Sequence, residues 1–492
     1  MTPRGVTPLP TPSLDVVDTL DAVDTVDTVH AVDAVDAVDT VGKTRPQRVD
    51  LPVMTAPIPR GCNGRVLIDR PTTPTPPPRA ERPRTRTWPG ALPRRAVRVA
   101  GWLAAAAWAL AFPLLSTLAT HRAWGFSAAA GYAGAALAAW WLPRPRARAL
   151  SLGSAVAGAV VVPLTSFLLT GRGQSEVGVI ERSGVLLVHQ ASPYLTDPQN
   201  VGEYTPYLPG MALFGLPRAL CGDATLPLRV LGDARLWCAG VFLLCLRAGV
   251  TCLRTGPRRP ASQDTYRTGL AALLASPVVA LPLCVSGVDL PLAGLCCLGL
   301  ALAACDRPVA AGLALAAACA LKWTAWPAVA VAAALLGNVT GTRAALRCAG
   351  TAVAGAVAVA LPSALLAPGP LVRQVLAFPA GRGDVPTPAA SPLPGRLLAD
   401  LGPLGWYAAV ALLLCGGAAV AATLVLRPPA TVVAAADRLA AGLCTAFLLA
   451  PAGRFGYLAL PVLLVVWPRL AVGGRRGHAP GVRVVGVGKT RP

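Results

Sequence analysis

The chain has 492 residues, of which 54% are hydrophobic and 14% charged, and its mean hydropathy is +0.56. Soluble globular domains carry about 25% charged residues, so this balance excludes an ordinary soluble protein and points to an all-α polytopic membrane protein. A net charge of +21 would suggest nucleic acid in a soluble chain. Here the arginines gather beside apolar spans, as in Arg94-Arg95-Ala96-Val97-Arg98, Arg144-Pro145-Arg146-Ala147-Arg148 and Arg258-Arg259. That is the positive-inside pattern, with added attraction to membrane lipids, and it argues against a nucleic-acid partner.

Residues 1–98 read as a disordered cytoplasmic tail. Asp15, Asp18, Asp21, Asp24, Asp27, Asp33, Asp36 and Asp39 recur every third residue, with His30 in the one gap. A period of three matches neither helix nor strand, so the Val-Asp-x triplets read as a tandem expansion. A Pro/Arg/Thr-rich linker follows from Arg70 to about Pro93. The hexapeptide Val41-Gly42-Lys43-Thr44-Arg45-Pro46 recurs at Val487–Pro492. Its Gly-Lys-Thr is no phosphate-binding loop, because Ala37 and Arg483 stand where that motif needs its first glycine.

Apolar spans of membrane-crossing character follow at 99–120, 124–142, 149–170, 231–253, 268–287, 289–305, 308–322, 324–337, 344–367, 404–426, 430–450 and 454–471. They predict about twelve transmembrane helices over 99–471, then a short basic cytoplasmic tail at 472–492. The seventh and eighth are separate only if the chain breaks at Lys322-Trp323-Thr324-Ala325-Trp326-Pro327. Charge favours the break, because it keeps Arg343, Arg347, Arg427 and Arg469 on the inner side, and Pro327 supplies a reason for it. Both termini are then cytoplasmic and the protein is a multi-pass cell-membrane protein. The loops at 171–226 and 368–403 face outward, with the turns at Asp289 and Arg454. Nucleotide sugars, ATP and NAD are not available on that face, so a donor must arrive on a lipid.

Most of the 13 cysteines fall inside apolar spans, among them Cys238, Cys245, Cys252 and the Cys296-Cys297 pair. Buried cysteine acts as a small hydrophobe, and a disulfide framework is not expected. With no CxxC and only 4 histidines, neither a metal site nor a cofactor is expected.

The polar stretch from about Gly171 to Leu226, a large first extracytoplasmic loop, collects the candidate site residues. Glu176 stands where the chain leaves the third span. It is either a solvated loop charge or, at that depth and reduced dielectric, a general base. Glu181, five residues on, points elsewhere on a helix, and Asp197 and Glu203 read as solvent-exposed. Tyr194, Tyr204 and Tyr207 either stack on sugar rings or belong to the interfacial aromatic belt. Lys322 is the only lysine between Gly101 and Leu470. It either snorkels to the interface or ligates a phosphate, with Arg454 as a second outward cation for the same anion. Asp289 either caps the following helix or adds polarity to a cavity.

In order and spacing, Glu176, Gly184, Pro193-Tyr194 and Tyr204-Thr205-Pro206-Tyr207-Leu208-Pro209 resemble glycosyltransferase family 87. So do Lys322 to Pro327 and Arg454-Phe455-Gly456-Tyr457. These are GT-C-fold, polyprenyl-phosphate-sugar-dependent enzymes, and they include a phosphatidylinositol mannoside mannosyltransferase. The chain departs from the family in having Glu176 where Asp is usual and Ile180 where a Tyr is usual. The resemblance implies inverting transfer of a mannose-like sugar from a polyprenyl-phosphate donor to a lipid or glycan acceptor on the extracytoplasmic face of the cell envelope. It implies Glu176 as base, Lys322 and Arg454 holding the departing phosphate, and Tyr194, Tyr204, Tyr207 and Asp289 contacting substrate. The other readings of the same residues are a transporter or flippase for a lipid-linked substrate, and a catalytically inactive membrane homologue. Ionisable groups clustered at span ends, with no repeat of the halves, disfavour a transporter.

Overall fold

The computed structural model describes residues 94–255 and 262–473. The Val-Asp-x repeat, the Pro/Arg linker and both Val-Gly-Lys-Thr-Arg-Pro copies lie outside them.

Every predicted span contains a helix. In chain order these are α1 (Arg94–Leu115), α2 (Ala119–Trp141) and α3 (Arg144–Thr170), then α4 (Ser175–Gln190) within the polar stretch. They continue with α5 (Ala234–Arg254), α6 (Gln263–Leu274), α7 (Pro277–Val285), α8 (Leu290–Ala304), α9 (Pro308–Leu321) and α10 (Trp326–Val339). The last four are α11 (Thr342–Leu366), α12 (Pro403–Leu426), α13 (Val432–Leu449) and α14 (Ala459–Val472). Among the described residues, seven helices are long and apolar enough to cross a membrane, or eight if the bent pair α6–α7 is one span. The pair bends by 65° just before Pro277, whose missing N–H and fixed φ suit it to start a new helix. Each of the twelve expected spans thus holds a helix, although α8, α9 and α10 are short, at 15, 14 and 14 residues. A helix of 14 residues such as α9 is about 21 Å long, shorter than a hydrocarbon core of about 30 Å.

The core is packed from small residues and a few large ones. Trp124, Tyr132, Phe242, Leu246 and Trp467 are fully buried. Their polar tips are satisfied: Tyr132 Oη donates to the Ala275 carbonyl at 2.6 Å, and Trp467 Nε1 donates to Tyr266 Oη at 3.1 Å. Cys238, Cys245, Cys296 and Cys297 lie in the same interior. Leu114, Leu115, Leu365, Val425 and Leu426 are exposed on the outside, as a lipid-facing surface requires.

The predicted loop 171–226 is largely folded. Val177, Ile180 and Gly184 recur at helical spacing and are buried, and this one-sided pattern makes α4 a helix lying on the bundle. The helix meets a tight turn at Pro209–Gly215, where Gly184 and Gly215 touch backbone to backbone. A Cβ on Gly184 would stand 2.2 Å from the Gly215 carbonyl carbon. Gly210 approaches α9 in the same way, and a Cβ there would stand 2.8 Å from the Ala320 carbonyl oxygen. Leu208 N–H then donates to the Leu321 carbonyl at 3.0 Å, which fixes Tyr207 beside Lys322.

Helix direction alternates along the chain, so the connections at 171–233, 286–289, 322–325, 367–402 and 450–458 emerge at one end of the bundle. At the opposite end Arg469 of α14 is paired with Asp437 of α13 at 2.6 Å.

Candidate active site

Four charged side chains from four distant segments meet at the end of the bundle that carries the long connections. Glu176 is the second residue of α4, in the first turn, where the helix dipole favours a carboxylate. It forms an ion pair with Arg454, which has extended backbone just before α14. Asp289 Oδ1 accepts from Lys322 Nζ at 2.9 Å. Lys322 is itself extended, at the predicted break between α9 and α10. The two pairs lie within electrostatic reach of each other. Asp289 makes no side-chain cap to α8; its carboxylate faces Lys322 instead.

Two aromatic rings complete the cluster. Lys322 Nζ stands 4.6 Å from the Tyr457 ring centroid and 5.6 Å from that of Tyr207. Such contacts favour an ammonium on a partly desolvated surface. Lys322 is 12% exposed, so a charge there needs these partners. Burial would pull its pKa down, but Asp289, Tyr457 and Glu176 together more than offset this and the net direction is up, so Lys322 stays charged. Burial pushes the Glu176 carboxyl above the usual carboxylate range, against the opposing pull of Arg454.

The structure thus brings together Glu176, Asp289, Lys322, Arg454 and Tyr207. It places Tyr194 and Tyr204 differently. Tyr194 is buried and its hydroxyl donates to the Tyr207 carbonyl at 2.9 Å. Tyr204 is buried and stacks on Phe378 with ring centroids 4.4 Å apart. Both rings hold up the segment that presents Tyr207. Glu181 faces away from the cluster, accepting from Arg218 Nε at 3.0 Å and from the Ala234 N–H at 3.2 Å, and so ties α4 to α5. Asp197 is exposed, and the Glu203 carboxylate also lies at the surface, where it accepts from the Gln199 N–H at 2.6 Å.

Several contributors are not evident from sequence. Arg235 is buried beside Asp233, 2.6 Å from its carboxylate, and also donates to the carbonyls of Arg172 at 2.9 Å and Cys284 at 3.1 Å. It therefore locks the start of α5 to the approach to α4 and the end of α7. Removing one partner of such a buried pair costs about 3–5 kcal/mol. His121, at the start of α2, lies 3.4 Å from the Gln174 side chain and within electrostatic reach of Arg454. Tyr457 stands in the Arg454-Phe455-Gly456-Tyr457 segment that the sequence singles out, but its place under Lys322 depends on the tight turn Phe455–Leu458. On the flank of α4 facing Glu181 lies a polar cleft of about 590 Å³, lined by Ser175, Gly178, Glu181, Arg218, Arg229 and Asp233 among others. Among the described residues no group of three or more His, Cys, Asp or Glu is placed to hold a metal ion.

Chemically, the cluster offers a buried carboxylate beside two fixed cations at one end of the helical bundle. That arrangement can accept a proton and hold a phosphate in one place. The model of glycosyltransferase family 87 matches residues 204–451. The matched stretch includes Tyr204, Tyr207, Asp289 and Lys322; Glu176 and Tyr194 precede it and Arg454 follows it. No curated protein and no solved structure matches the chain. A multi-pass helical bundle and a match over half of the chain agree: the protein belongs to glycosyltransferase family 87 and is a membrane glycosyltransferase of the GT-C type.

Proposed function

We propose that the protein transfers a mannose-like sugar from a polyprenyl-phosphate donor to a lipid or glycan acceptor, with inversion, on the extracytoplasmic face of the cell membrane. The observation that carries this reading is the pairing of Glu176 with Arg454 beside that of Asp289 with Lys322. Glu176 takes the proton of an acceptor hydroxyl. The hydroxyl oxygen bonds to the anomeric carbon as the bond from that carbon to the phosphate oxygen breaks. The bonding pair leaves with the polyprenyl phosphate, and Lys322 and Arg454 hold its charge. Without donor, Glu176 and Asp289 occupy the two cations; a donor phosphate displaces them and frees Glu176 to act as base. Positive-inside charge supports cytoplasmic termini, and the connections gathered at the opposite end support an outward-facing site.

Sealed right-side-out vesicles test this reading. Label from radiolabelled polyprenyl-phosphate mannose is expected in a product open to an external glycosidase, with none from nucleotide-mannose. Transfer from nucleotide-mannose alone, or a product shielded from the glycosidase, would overturn the donor or the face.

The same assay run against pH reads the base. A carboxyl with a raised pKa is ionised only above that raised value, so activity is expected to fall on acidification at a pH above the ordinary glutamate pKa of about 4.3. Activity that stays flat down to about that ordinary value would remove Glu176 from the role.

A further inference from the structure

The connection between α11 and α12, residues 367–402, touches the site from two sides. At its first end, a wide helical turn at Val372–Ala377 carries Gln374, whose side chain is completely buried. Gln374 Oε1 accepts from the Thr205 N–H at 2.9 Å, and Nε2 donates to the Leu195 carbonyl at 2.6 Å. The next contact along the connection is the stacking of Phe378 on Tyr204. Tyr207, two residues past Thr205, is the ring under Lys322.

At its other end the connection runs beside Gly453 as an isolated parallel bridge. Gly453 N–H donates to the Ala389 carbonyl at 2.9 Å, and Ser391 N–H donates to the Gly453 carbonyl at 3.0 Å. Ser391 Oγ then accepts from the Phe455 N–H at 3.3 Å. Ser391 therefore grips the residue before Arg454 and the residue after it. Gly395 presses the strap against the end of α13, where a Cβ would stand 2.1 Å from the Leu449 carbonyl oxygen.

We propose that residues 372–395 are a strap that sets the register of the two cation-bearing segments, with Gln374 and Ser391 as positioning residues for the Tyr207–Lys322 and Arg454–Glu176 contacts respectively. A buried amide with both ends used fixes a loop more tightly than apolar packing, because any displacement leaves a buried polar group unpaired. Arg454 sits in extended backbone outside any helix, so its aim depends on hydrogen bonds made by the residues on either side of it. The inference rests on the catalytic reading given above. It separates from that reading because the strap's hold on residues 453–455 is measurable without turnover.

The test compares Ser391→Ala, Ser391→Thr and Gln374→Met with an Asp384→Asn control, on the full chain in nanodiscs. Asp384 is exposed and only 3.9 Å from Arg373. Ser391→Ala is expected to speed hydrogen exchange at Phe455 and to lower kcat about tenfold. It also moves the acid limb of the pH profile upward. Glu176 is faced by Arg454, Lys322, Asp289 and Tyr207, and of these Arg454 most opposes the effect of burial. Ser391→Thr keeps the acceptor oxygen and restores all three readouts. Gln374→Met is expected to raise the donor KM about tenfold with a smaller change in kcat. Asp384→Asn matches wild type. An unshifted acid limb in Ser391→Ala, with loss of rate that merely follows a lowered Tm, would reduce the strap to ordinary scaffolding and overturn the proposal. Unchanged exchange at Phe455 in Ser391→Ala would overturn it even if wild type transferred no sugar.

Discussion

Glu176→Gln is expected to lower kcat by about 10²–10⁴-fold while the protein folds and inserts normally. A positioned general base contributes about that much, and glutamine keeps the shape of the side chain but cannot take a proton. The amide can still accept from Arg454, so the cation remains tethered and the loss falls on chemistry rather than on donor binding. Glu176→Asp shortens the reach by one methylene and is expected to keep part of the activity. Steady-state kinetics with polyprenyl-phosphate mannose, set beside Tm values for the three proteins, check this. Wild-type kcat in Glu176→Gln would move the base elsewhere.

The second large effect is at Lys322. Lys322→Met is expected to raise the donor KM and lower kcat, with a combined loss of about 10²–10³-fold in kcat/KM. Electrostatic stabilisation of a departing anion by one fixed group is worth about this much. The substitution also leaves the Asp289 carboxylate without its cation at 2.9 Å, at a cost in stability of about 1–2 kcal/mol, less than for a fully buried pair because the Asp289 side chain is 34% exposed. Lys322→Met with Asp289→Asn removes the stranded charge. The double variant is expected to recover Tm but not activity, and thermal unfolding beside the transfer assay separates the two. Recovery of activity in the double variant would show that Lys322 serves only to neutralise Asp289.

The helical content and the approximate place of each span were legible in sequence because apolar runs and flanking arginines carry that information locally. So was the break at Lys322, since charge balance and Pro327 both call for it. The sequence also singled out Glu176, Asp289, Lys322 and Arg454, because each is a charge at the end of an apolar run. Which carboxylate pairs with which cation was not legible. Glu176 and Arg454 are 278 residues apart, and only the packing of α4 against the bundle brings them together. The same limit hid the parts of Gln374 and Ser391, whose hydrogen bonds span 169 and 64 residues. Tyr194 and Tyr204 stood out with Tyr207 in a Tyr/Pro-rich segment, yet only Tyr207 contacts the charged cluster. The Leu208–Leu321 backbone bond sets one ring beside Lys322 and leaves the other two to packing. The polar stretch looked like a loop because its charges are conspicuous. Its folded part follows from a quieter signal, Val177, Ile180 and Gly184 at helical spacing, with glycines where backbones touch.

A structure of the protein bound to a non-transferable polyprenyl-phosphonate mannose would show where the donor phosphate is held. The phosphonate oxygens are expected within hydrogen-bond distance of Lys322 Nζ and the Arg454 guanidinium. The Glu176 carboxylate should be released from Arg454 and turned toward the open face of the anomeric carbon. A headgroup seated instead in the cleft lined by Arg218 and Arg229, with both ion pairs of the cluster intact, would contradict the account.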